Sequence, residues 1–195
     1  MDHTQILQAL INRHNYSSYL EIGVQAGKNF QALNILEKTG VDPYSPLFEC
    51  LKITSDDFFA KNRRGYDIVF IDGDHREEQV YKDIKNAIAI LNPRGVIMVH
   101  DLNPTSELMQ TVPRLAREWT GDGWRAWLRI RGSENTLVMN VVDTDYGCGL
   151  ITVDVEKEIP LIPAVSFMTY SQFAEHKAEW LPLISVEQFK EKYLA

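Results

Sequence analysis

One short segment constrains the fold of this chain more than any other. Residues 66–71 form a nearly continuous apolar run that stops at Asp72-Gly73-Asp74-His75. Such a run is typical of a central parallel strand that is covered by helices on both faces. A predicted helix over residues 76–91 and a second apolar strand over residues 96–99 follow, ending at His100-Asp101. Strands that alternate with helices in this way predict a parallel sheet with right-handed crossovers.

The rest of the chain continues this alternation. The N-terminal half predicts a helix over residues 4–14, a strand over 19–23, a helix over 29–37, strands over 40–43 and 51–54, and a short helix capped by Ser55. The C-terminal half predicts a helix from 103 to about 119 and a strand or helix over 124–130. Strands over 137–142 and 150–155 are predicted to form a hairpin at the sheet edge. Two short tail helices follow, with capping boxes that pair Thr169 with Gln172 and Ser185 with Gln188. The predicted fold class is therefore α/β, a Rossmann-like doubly wound sheet, mostly parallel with a C-terminal antiparallel hairpin.

Composition narrows the possible partners and location. The chain has 195 residues, a formal charge of −7 and two cysteines. This length predicts a single domain over residues 1–195, with a core of about 17–155 and a helical tail over 166–195. The acidic balance argues against nucleic acid or a membrane as partner. Without a signal-peptide pattern or a disulfide framework, we expect a cytoplasmic protein. The apolar residues of the tail could pack against a second copy of the chain and form a homodimer.

The loop after the first predicted strand carries the first candidate site. Its glycines, Gly23 and Gly27, lie four residues apart and allow close approach of a ligand to the backbone. Gln25 stands where a dinucleotide fingerprint would have its middle glycine, which disfavours a pyrophosphate. Asp42 ends the second strand 19 residues after Gly23, close to the spacing at which an acid receives ribose hydroxyls. The loop therefore predicts a ribose-containing ligand; alternatively, the glycines only form a turn and Asp42 only caps the turn at Pro43.

The loops after the two apolar strands carry the second candidate site. Asp72, His100 and Asp101 could surround a hard divalent cation such as Mg²⁺ or Mn²⁺. His75 is predicted to lie in the first helical turn, where the helix dipole would keep it neutral and able to act as a general base. Asp74 is better explained as the cap of that helix. The alternatives are structural: a surface His75, and turn or sheet hydrogen bonds for His100 and Asp101.

Two further sequence features are better explained by a structural role than by a role in catalysis or binding. Trp119, Trp124 and Trp127 lie close in sequence to three arginines at positions 125, 129 and 131. They could line an anionic or sugar substrate, but a half-buried element with solvated arginines is the more common arrangement. Cys148 has no evident base nearby, so it is not predicted to act as a nucleophile.

Together, these motifs resemble the class I S-adenosylmethionine-dependent methyltransferases. Glu21-Ile22-Gly23 with Gly27 resembles the first motif of that family, E/D-x-G-x-x-x-G, and Asp42 stands where its ribose-binding acid ends the second strand. The closest subgroup is the set of small methyltransferases with F-I-D-G-D-H after the fourth strand and H-D after the fifth. The resemblance covers about residues 19–101 and, in outline, the terminal hairpin. This chain departs from it at Arg94, in the short second strand and in the third-strand acidic motif.

The resemblance implies a fold and a set of site residues. The sheet would have seven strands in the order 3-2-1-4-5-7-6, with strand 7 antiparallel. The cofactor S-adenosylmethionine would contact Glu21, Gly23, Gln25 and Gly27 at its methionine end, Asp42 at the ribose, Ser55 and Asp56 beside the adenine, and Asp72. Related O-methyltransferases place a divalent metal after strands 4 and 5, which here implies Asp72 and Asp101, with His100 where some members have another acid.

The sequence therefore predicts an S-adenosylmethionine-dependent methyltransferase that methylates a hydroxyl of a small molecule or sugar, with His75 and Asp72 as catalytic residues and possible help from Mg²⁺ or Mn²⁺. Two alternatives remain at this stage. Asp72-x-Asp74 and Asp143-x-Asp145 are D-x-D patterns of the kind used with manganese by nucleotide-sugar glycosyltransferases. The chain could also be a non-catalytic module that only binds the cofactor.

Overall fold

The computed structural model describes residues 1–47, 49–154 and 158–195. Its elements, in chain order, are α1 (His3–His14), β1 (Ser18–Ile22), α2 (Lys28–Ala32), β2 (Glu37–Val41), β3 (Cys50–Leu51), α3 (Ser55–Lys61), β4 (Tyr66–Ile71), α4 (Glu77–Ile90), β5 (Leu91–Val99), α5 (Gly123–Arg131), β6 (Leu137–Val142), β7 (Cys148–Val153), α6 (Tyr170–Trp180), β8 (Leu183–Ile184) and α7 (Val186–Tyr193). Single 3₁₀ turns lie at Glu107–Gln110 and Val165–Phe167. Within the described residues, no helix is long and apolar enough to cross a membrane.

The strands form one sheet in the order β3-β2-β1-β4-β5-β7-β6-β8. Strands β1 to β5 pair in parallel, whereas β7 is antiparallel to both β5 and β6. The predicted fold class and the order 3-2-1-4-5-7-6 are confirmed. The predicted hairpin does not end the sheet, because the two-residue strand β8 pairs with β6 and covers its outer edge.

Strand β4 explains why the sheet is covered on both faces. Its side chains alternate between two separate apolar clusters, Val69 and Ile71 in one and Ile68 and Phe70 in the other. The first cluster includes residues of α4 and α5, and the second includes residues of α1 and α7. Each fully buried side chain of this size contributes roughly 1.5–3 kcal/mol. The β4 strand is therefore held between two helical layers, and its carboxyl end is fixed in position.

The largest error of the sequence prediction concerns residues 103–119. This segment forms no long helix; it contains one 3₁₀ turn at Glu107–Gln110. Its apolar side chains do not share a buried face, since Leu108 and Leu115 are 59% and 70% exposed. Pro113 also lacks an N–H and disfavours a helical conformation for the residue before it. By contrast, the ambiguous segment 124–130 forms helix α5, whose Trp124 and Trp127 are fully buried.

Other boundaries shift for identifiable reasons. Helix α2 ends at Ala32, because strand β2 already begins at Glu37. Helix α3 is capped by Thr54, not Ser55; the Thr54 side chain accepts a hydrogen bond from the Asp57 N–H. The last residue of the predicted strand 150–155, Val155, lies outside the described residues, and β7 is described from Cys148 to Val153. Both predicted capping boxes of the tail are present.

Candidate active site

A cavity of about 820 Å³ opens at the carboxyl ends of β1, β2, β4 and β5. This is the edge at which parallel α/β sheets bind ligands. Most of the predicted site residues line it: Gly23, Gln25, Asp42, Ser55, Asp56, Asp72, His75, His100 and Asp101. Two predicted cofactor residues, Glu21 and Gly27, are not among its lining residues. Residues that sequence reasoning did not select also line the cavity, among them Tyr44, Thr54, Arg76, Gln79 and Arg114.

The loop after β1 is pressed against the loop after β4. Gly23 has a φ of +91°, and a Cβ atom there would lie 2.2 Å from the carbonyl oxygen of Asp72. Only glycine fits this close approach without strain. The tight contact brings the backbone of the first loop beside the first acid of the second, so that both face the same cavity.

Asp42 holds the neighbouring turn as well as lining the cavity. Its Oδ2 accepts a hydrogen bond from the Gln25 N–H at 2.7 Å, and its Oδ1 accepts from the N–H groups of Tyr44 and Ser45 at 2.7 and 3.0 Å. Asp42 therefore caps the turn, as the alternative predicted. Among the described residues, its Oδ2 accepts only one hydrogen bond and keeps a lone pair for a ligand.

Glu21 lies beneath the loop and supports it. The carboxylate is 2% exposed and accepts hydrogen bonds from the Tyr19 hydroxyl at 2.5 Å and the Asn29 amide at 2.9 Å. Burial raises the pKa of Glu21 to about 7, against the opposing effect of these two hydrogen bonds. The predicted contact of Glu21 with the cofactor is replaced in this structure by contacts within the core.

A glutamine on α4 joins the residues expected beside the adenine. The Gln79 amide nitrogen lies 3.1 Å from the Ser55 hydroxyl and 3.1 Å from Asp56 Oδ1. It also lies 3.1 Å from Oδ1 of Asp83, which is buried one turn further along the helix. Gln79 could not be recognised from the sequence, because the third-strand motif that would have pointed to this region is degenerate.

The acids and histidines after β4 and β5 form a compact cluster. The ligand atoms of Asp72, His75 and Asp101 lie within 4.8 Å of one another. His75 Nε2 is 3.4 Å from Asp72 Oδ1, and His75 Nδ1 is 3.1 Å from Asp101 Oδ2. His100 lies alongside, with Nδ1 3.2 Å from Asp72 Oδ1 and 3.5 Å from Asp101 Oδ1. The structure thus groups His75, rather than the predicted His100, with Asp72 and Asp101, and His100 lies beside this group.

The carboxylates determine the charge of this cluster. Burial lowers the pKa of His75, but Asp101 and Asp72 outweigh it and raise the pKa to about 9. Burial also lowers the pKa of His100, while Asp145 and Asp72 hold it well above its ordinary value. Burial raises the pKa of Asp72, but His100 and His75 hold it well below its usual range. The prediction that His75 is kept neutral by the helix dipole is wrong, because His75 precedes α4 and lies between two carboxylates.

Asp74 does not cap α4. Its carboxylate forms an ion pair with Arg76, which is itself the N-cap residue. The first N–H of the helix, that of Glu77, instead donates to Asp122 Oδ1 at 2.7 Å. Helix α4 is therefore capped from a residue 45 positions further along the chain, a contact that no local sequence pattern reveals.

The segment between β5 and α5 forms the outer wall of the cavity. The Trp119 ring stacks on the His75 ring, with centroids 5.4 Å apart and planes 4° from parallel. The Trp119 indole N–H donates to the Thr111 carbonyl at 2.6 Å, and the Arg114 guanidinium lies 5.7 Å from the Trp119 ring. Of the predicted tryptophan and arginine cluster, only Trp119 lines the cavity.

Comparison with known families identifies the chain. The sequence matches a family described as "Methyltransferase domain" over residues 4–102, about half of its length. The chain belongs to this family. The matched region contains β1 to β5 and every residue of the Asp72, His75, His100 and Asp101 cluster. The resemblance inferred from the motifs is therefore confirmed at the level of the family.

Solved methyltransferases share the fold. An O-methyltransferase from Bacillus cereus in complex with SAH has a TM-score of 0.59 at 15% identity, over 80% of this chain and 82% of that chain. The SAH-bound Podospora anserina methyltransferase PaMTH1 has a TM-score of 0.56 at 12% identity, over 77% and 78%. The MycE methyltransferase of the mycinamycin biosynthetic pathway, solved with Mg, SAH and mycinamycin VI, has a TM-score of 0.50 at 16% identity, over 78% and 49%. No curated protein matches the sequence.

The family makes this protein a methyltransferase, and the solved neighbours share its fold. They favour methyl transfer over the nucleotide-sugar alternative. The D-x-D patterns that suggested that alternative are also engaged within the protein: Asp74 pairs with Arg76, and Asp143 Oδ1 accepts a hydrogen bond from Asn103 at 2.9 Å.

Proposed function

We propose that this methyltransferase transfers the methyl group of S-adenosylmethionine to a hydroxyl of a small-molecule acceptor, beside a divalent cation held by Asp72 and Asp101. One observation carries the proposal. The predicted cofactor residues and the acid–histidine cluster line a single cavity, and Asp72 belongs to both groups. Cofactor, acceptor oxygen and cation would therefore meet in one space.

The cofactor is assigned to the side of the cavity formed by the loops after β1, β2 and β3. Asp42 would receive the ribose hydroxyls, with its position fixed by the Gln25 N–H. Ser55, Asp56 and Gln79 would surround the adenine. Gly23 would let the methionine end pass close to the backbone, while Glu21 supports this loop from the core through Tyr19 and Asn29.

The residues of the cluster fit a divalent cation. Asp72 and Asp101 supply carboxylate oxygens, and the imidazoles of His75 and His100 lie beside them. The His75 Nδ1 atom is buried and makes no hydrogen bond with any described residue, although Asp101 Oδ2 lies only 3.1 Å away. Such a donor set suits Mg²⁺ or Mn²⁺. The MycE neighbour, which shares the fold, was solved with Mg.

In this proposal the enzyme has two tasks, to align the two reactants and to remove a proton from the acceptor. Methyl transfer from a sulfonium is an in-line displacement, and holding the two reactants in line accounts for roughly 7–11 kcal/mol of barrier lowering. A hydroxyl acceptor must also lose its proton. His75 is the proton acceptor in this proposal and acts in its neutral form; a cation held by Asp72 and Asp101 would offset the carboxylate charges that raise the pKa of His75 and so favour that form. A bound cation supplies positive charge that lowers the pKa of the acceptor hydroxyl.

Calorimetric titration with S-adenosylhomocysteine, with and without Mg²⁺, tests the binding half of the proposal. We expect micromolar binding that Asp42→Ala abolishes and that Glu175→Gln, an exposed acid on α6, leaves unchanged. Equal affinity of Asp42→Ala and the wild type would contradict the cofactor assignment. Enhancement by Mg²⁺ that Asp101→Asn removes would support the cation site.

Turnover separates an enzyme from a module that only binds the cofactor. Release of S-adenosylhomocysteine is measured with a panel of catechols, sugars and hydroxy acids, each with Mg²⁺ or Mn²⁺. We expect at least one hydroxylated acceptor to be methylated and its Asp101→Asn rate to fall. Tight cofactor binding without turnover on any acceptor would favour the non-catalytic alternative.

A further inference from the structure

A second cluster of metal-ligating side chains lies behind the cavity. It joins His3 at the start of α1, His100 at the end of β5, and Asp145 in the turn between β6 and β7, all with ligand atoms within 4.8 Å of one another. Asp145 belongs to one of the D-x-D patterns, but no local pattern links it to His3 or His100, because the three residues are far apart in the chain. Only the completed sheet brings them together.

Asp145 is the centre of this cluster. Its Oδ2 accepts a hydrogen bond from the His3 backbone N–H at 2.9 Å and lies 2.6 Å from His3 Nδ1. The same oxygen lies 3.4 Å from His100 Nε2. The rings of His3 and His100 are 4.7 Å apart and meet at 66°. Two imidazoles and one carboxylate thus converge on one point.

The His100 Nε2 atom faces Asp145 but is not hydrogen-bonded to it. It is buried and makes no hydrogen bond with any described residue, in a side chain that is 10% exposed. Zinc–ligand bonds of about 2.0–2.2 Å place neighbouring tetrahedral ligands about 3.3 Å apart. The 3.4 Å separation of His100 Nε2 and Asp145 Oδ2 fits this spacing, whereas His3 Nδ1, which lies 2.6 Å from Asp145 Oδ2, would have to withdraw by about 0.7 Å.

We infer that His3, His100 and Asp145 bind a divalent transition metal ion, Zn²⁺ by the chemistry of the donors, at a site separate from the oxygen-rich cluster of Asp72, His75 and Asp101. Two nitrogens and one oxygen favour a borderline ion such as Zn²⁺ over Mg²⁺. His3 and Asp145 are each about one quarter exposed, so an ion can enter and keep a water ligand.

His100 connects the two clusters. Its Nδ1 faces Asp72 Oδ1 at 3.2 Å, while its Nε2 faces Asp145 at 3.4 Å. A metal ion on Nε2 would fix the orientation of the ring that flanks the catalytic cavity, as hydrogen-bond partners of metal-bound histidines do. The inference itself does not require methyl transfer, and its test measures metal binding alone.

Zn²⁺ titration of the full chain in competition with a coloured chelator tests the site. The titration uses an Asp101→Asn background, which weakens metal binding by the cavity cluster. Asparagine is chosen because it tolerates the left-handed conformation of position 101, whose φ is 60°. In this background we expect one tight Zn²⁺ equivalent. Adding His3→Ala or Asp145→Asn should weaken it at least tenfold, whereas adding His14→Ala, a matched histidine at the other end of α1, should not.

Three results would overturn the inference. The first is the absence of a tight Zn²⁺ equivalent in the Asp101→Asn protein. The second is unchanged affinity after both His3→Ala and Asp145→Asn. The third is dependence on His3 without dependence on Asp145, which would assign the ion to the amino-terminal segment alone. Far-UV circular dichroism verifies folding, and His3→Gln replaces His3→Ala if the latter unfolds.

Discussion

The two sides of the catalytic cavity are built in different ways. The cofactor side consists of short loops fixed by the sheet, with Gly23 against the Asp72 backbone and Asp42 bound to three N–H groups. The outer wall, residues 104–120, is the side that the proposal leaves to the acceptor; it contains a single 3₁₀ turn and exposes Leu108 and Leu115. The backbone of the first side is determined by strand pairing, whereas the second depends on a few side-chain contacts such as Trp119 with His75. Cofactor binding and acceptor recognition should therefore respond separately to mutation.

The largest expected effect is on the turnover rate, with cofactor affinity unchanged. His75→Ala should lower kcat by roughly 10²–10⁴, the range typical of a lost general base. Affinity for S-adenosylhomocysteine should stay within about twofold, as measured by calorimetry, because the cofactor contacts lie on the other side. His176→Ala, an exposed histidine on α6, is the control. Unchanged turnover would refute the role of His75, and an equal loss of cofactor affinity would refute the separation of the two sides.

The stability of the cofactor side should depend on pH through Glu21. Burial raises the pKa of Glu21 to about 7 in the folded protein, from an ordinary value of 4.5. The folded state therefore favours the protonated carboxyl, so this contribution to stability is complete below about pH 4.5 and is lost as the pH rises through 7. A shift of this size corresponds to about 3 kcal/mol.

Glu21→Gln tests this dependence, since its amide oxygen can still accept from Tyr19 and Asn29. Urea unfolding at pH 5 and pH 8 should show a smaller difference in unfolding free energy for Glu21→Gln than for the wild type. An identical difference in both proteins would mean that Glu21 is ionised in the fold and that the loop after β1 does not depend on a neutral carboxyl.

A glycine substitution tests how rigid the cofactor side is. At position 23, Gly→Ala places a Cβ 2.2 Å from the Asp72 carbonyl oxygen in a backbone with a φ of +91°. We expect a loss of about 1–3 kcal/mol in unfolding free energy and at least tenfold weaker binding of S-adenosylhomocysteine. At the control position Gly132, whose φ is −82° and whose Cβ would first meet an atom at 3.3 Å, Ala should change the affinity little. Similar effects at both positions would contradict the proposed contact.

The same contrast explains what the sequence could and could not predict. Apolar runs such as residues 66–71 report burial on both faces, so they predict strands, their order and the loops that follow them. Asp72 comes directly after such a run, Asp101 follows another with one residue between them, and Asp42 follows a shorter strand; the sheet brings all three into one cavity. Gln79 and Arg114 reach the cavity from elements whose positions depend on tertiary packing, and no local pattern marks them.

Two errors in the sequence interpretation have the same physical origin. A local capping rule assigned Asp74 to α4, but Asp122 caps that helix from a distant loop. A local dipole argument kept His75 neutral, but Asp101 and Asp72 determine its charge across two loops. Local rules describe the chain before it folds, and the electrostatics of this site arise only after β4 and β5 have paired.

The smallest expected effect is the most specific to the acceptor side. Trp119→Ala removes the stacking on His75, an interaction worth roughly 0.5–1.5 kcal/mol. For an acceptor found in the turnover screen, kcat/KM should fall about three- to tenfold, while affinity for S-adenosylhomocysteine stays constant. Trp119→Phe should restore most of the loss, because a ring in that place can still stack. If Trp119→Ala instead weakened cofactor binding and left the acceptor kinetics intact, residues 104–120 would belong to the cofactor side and the comparison between the two sides would fail.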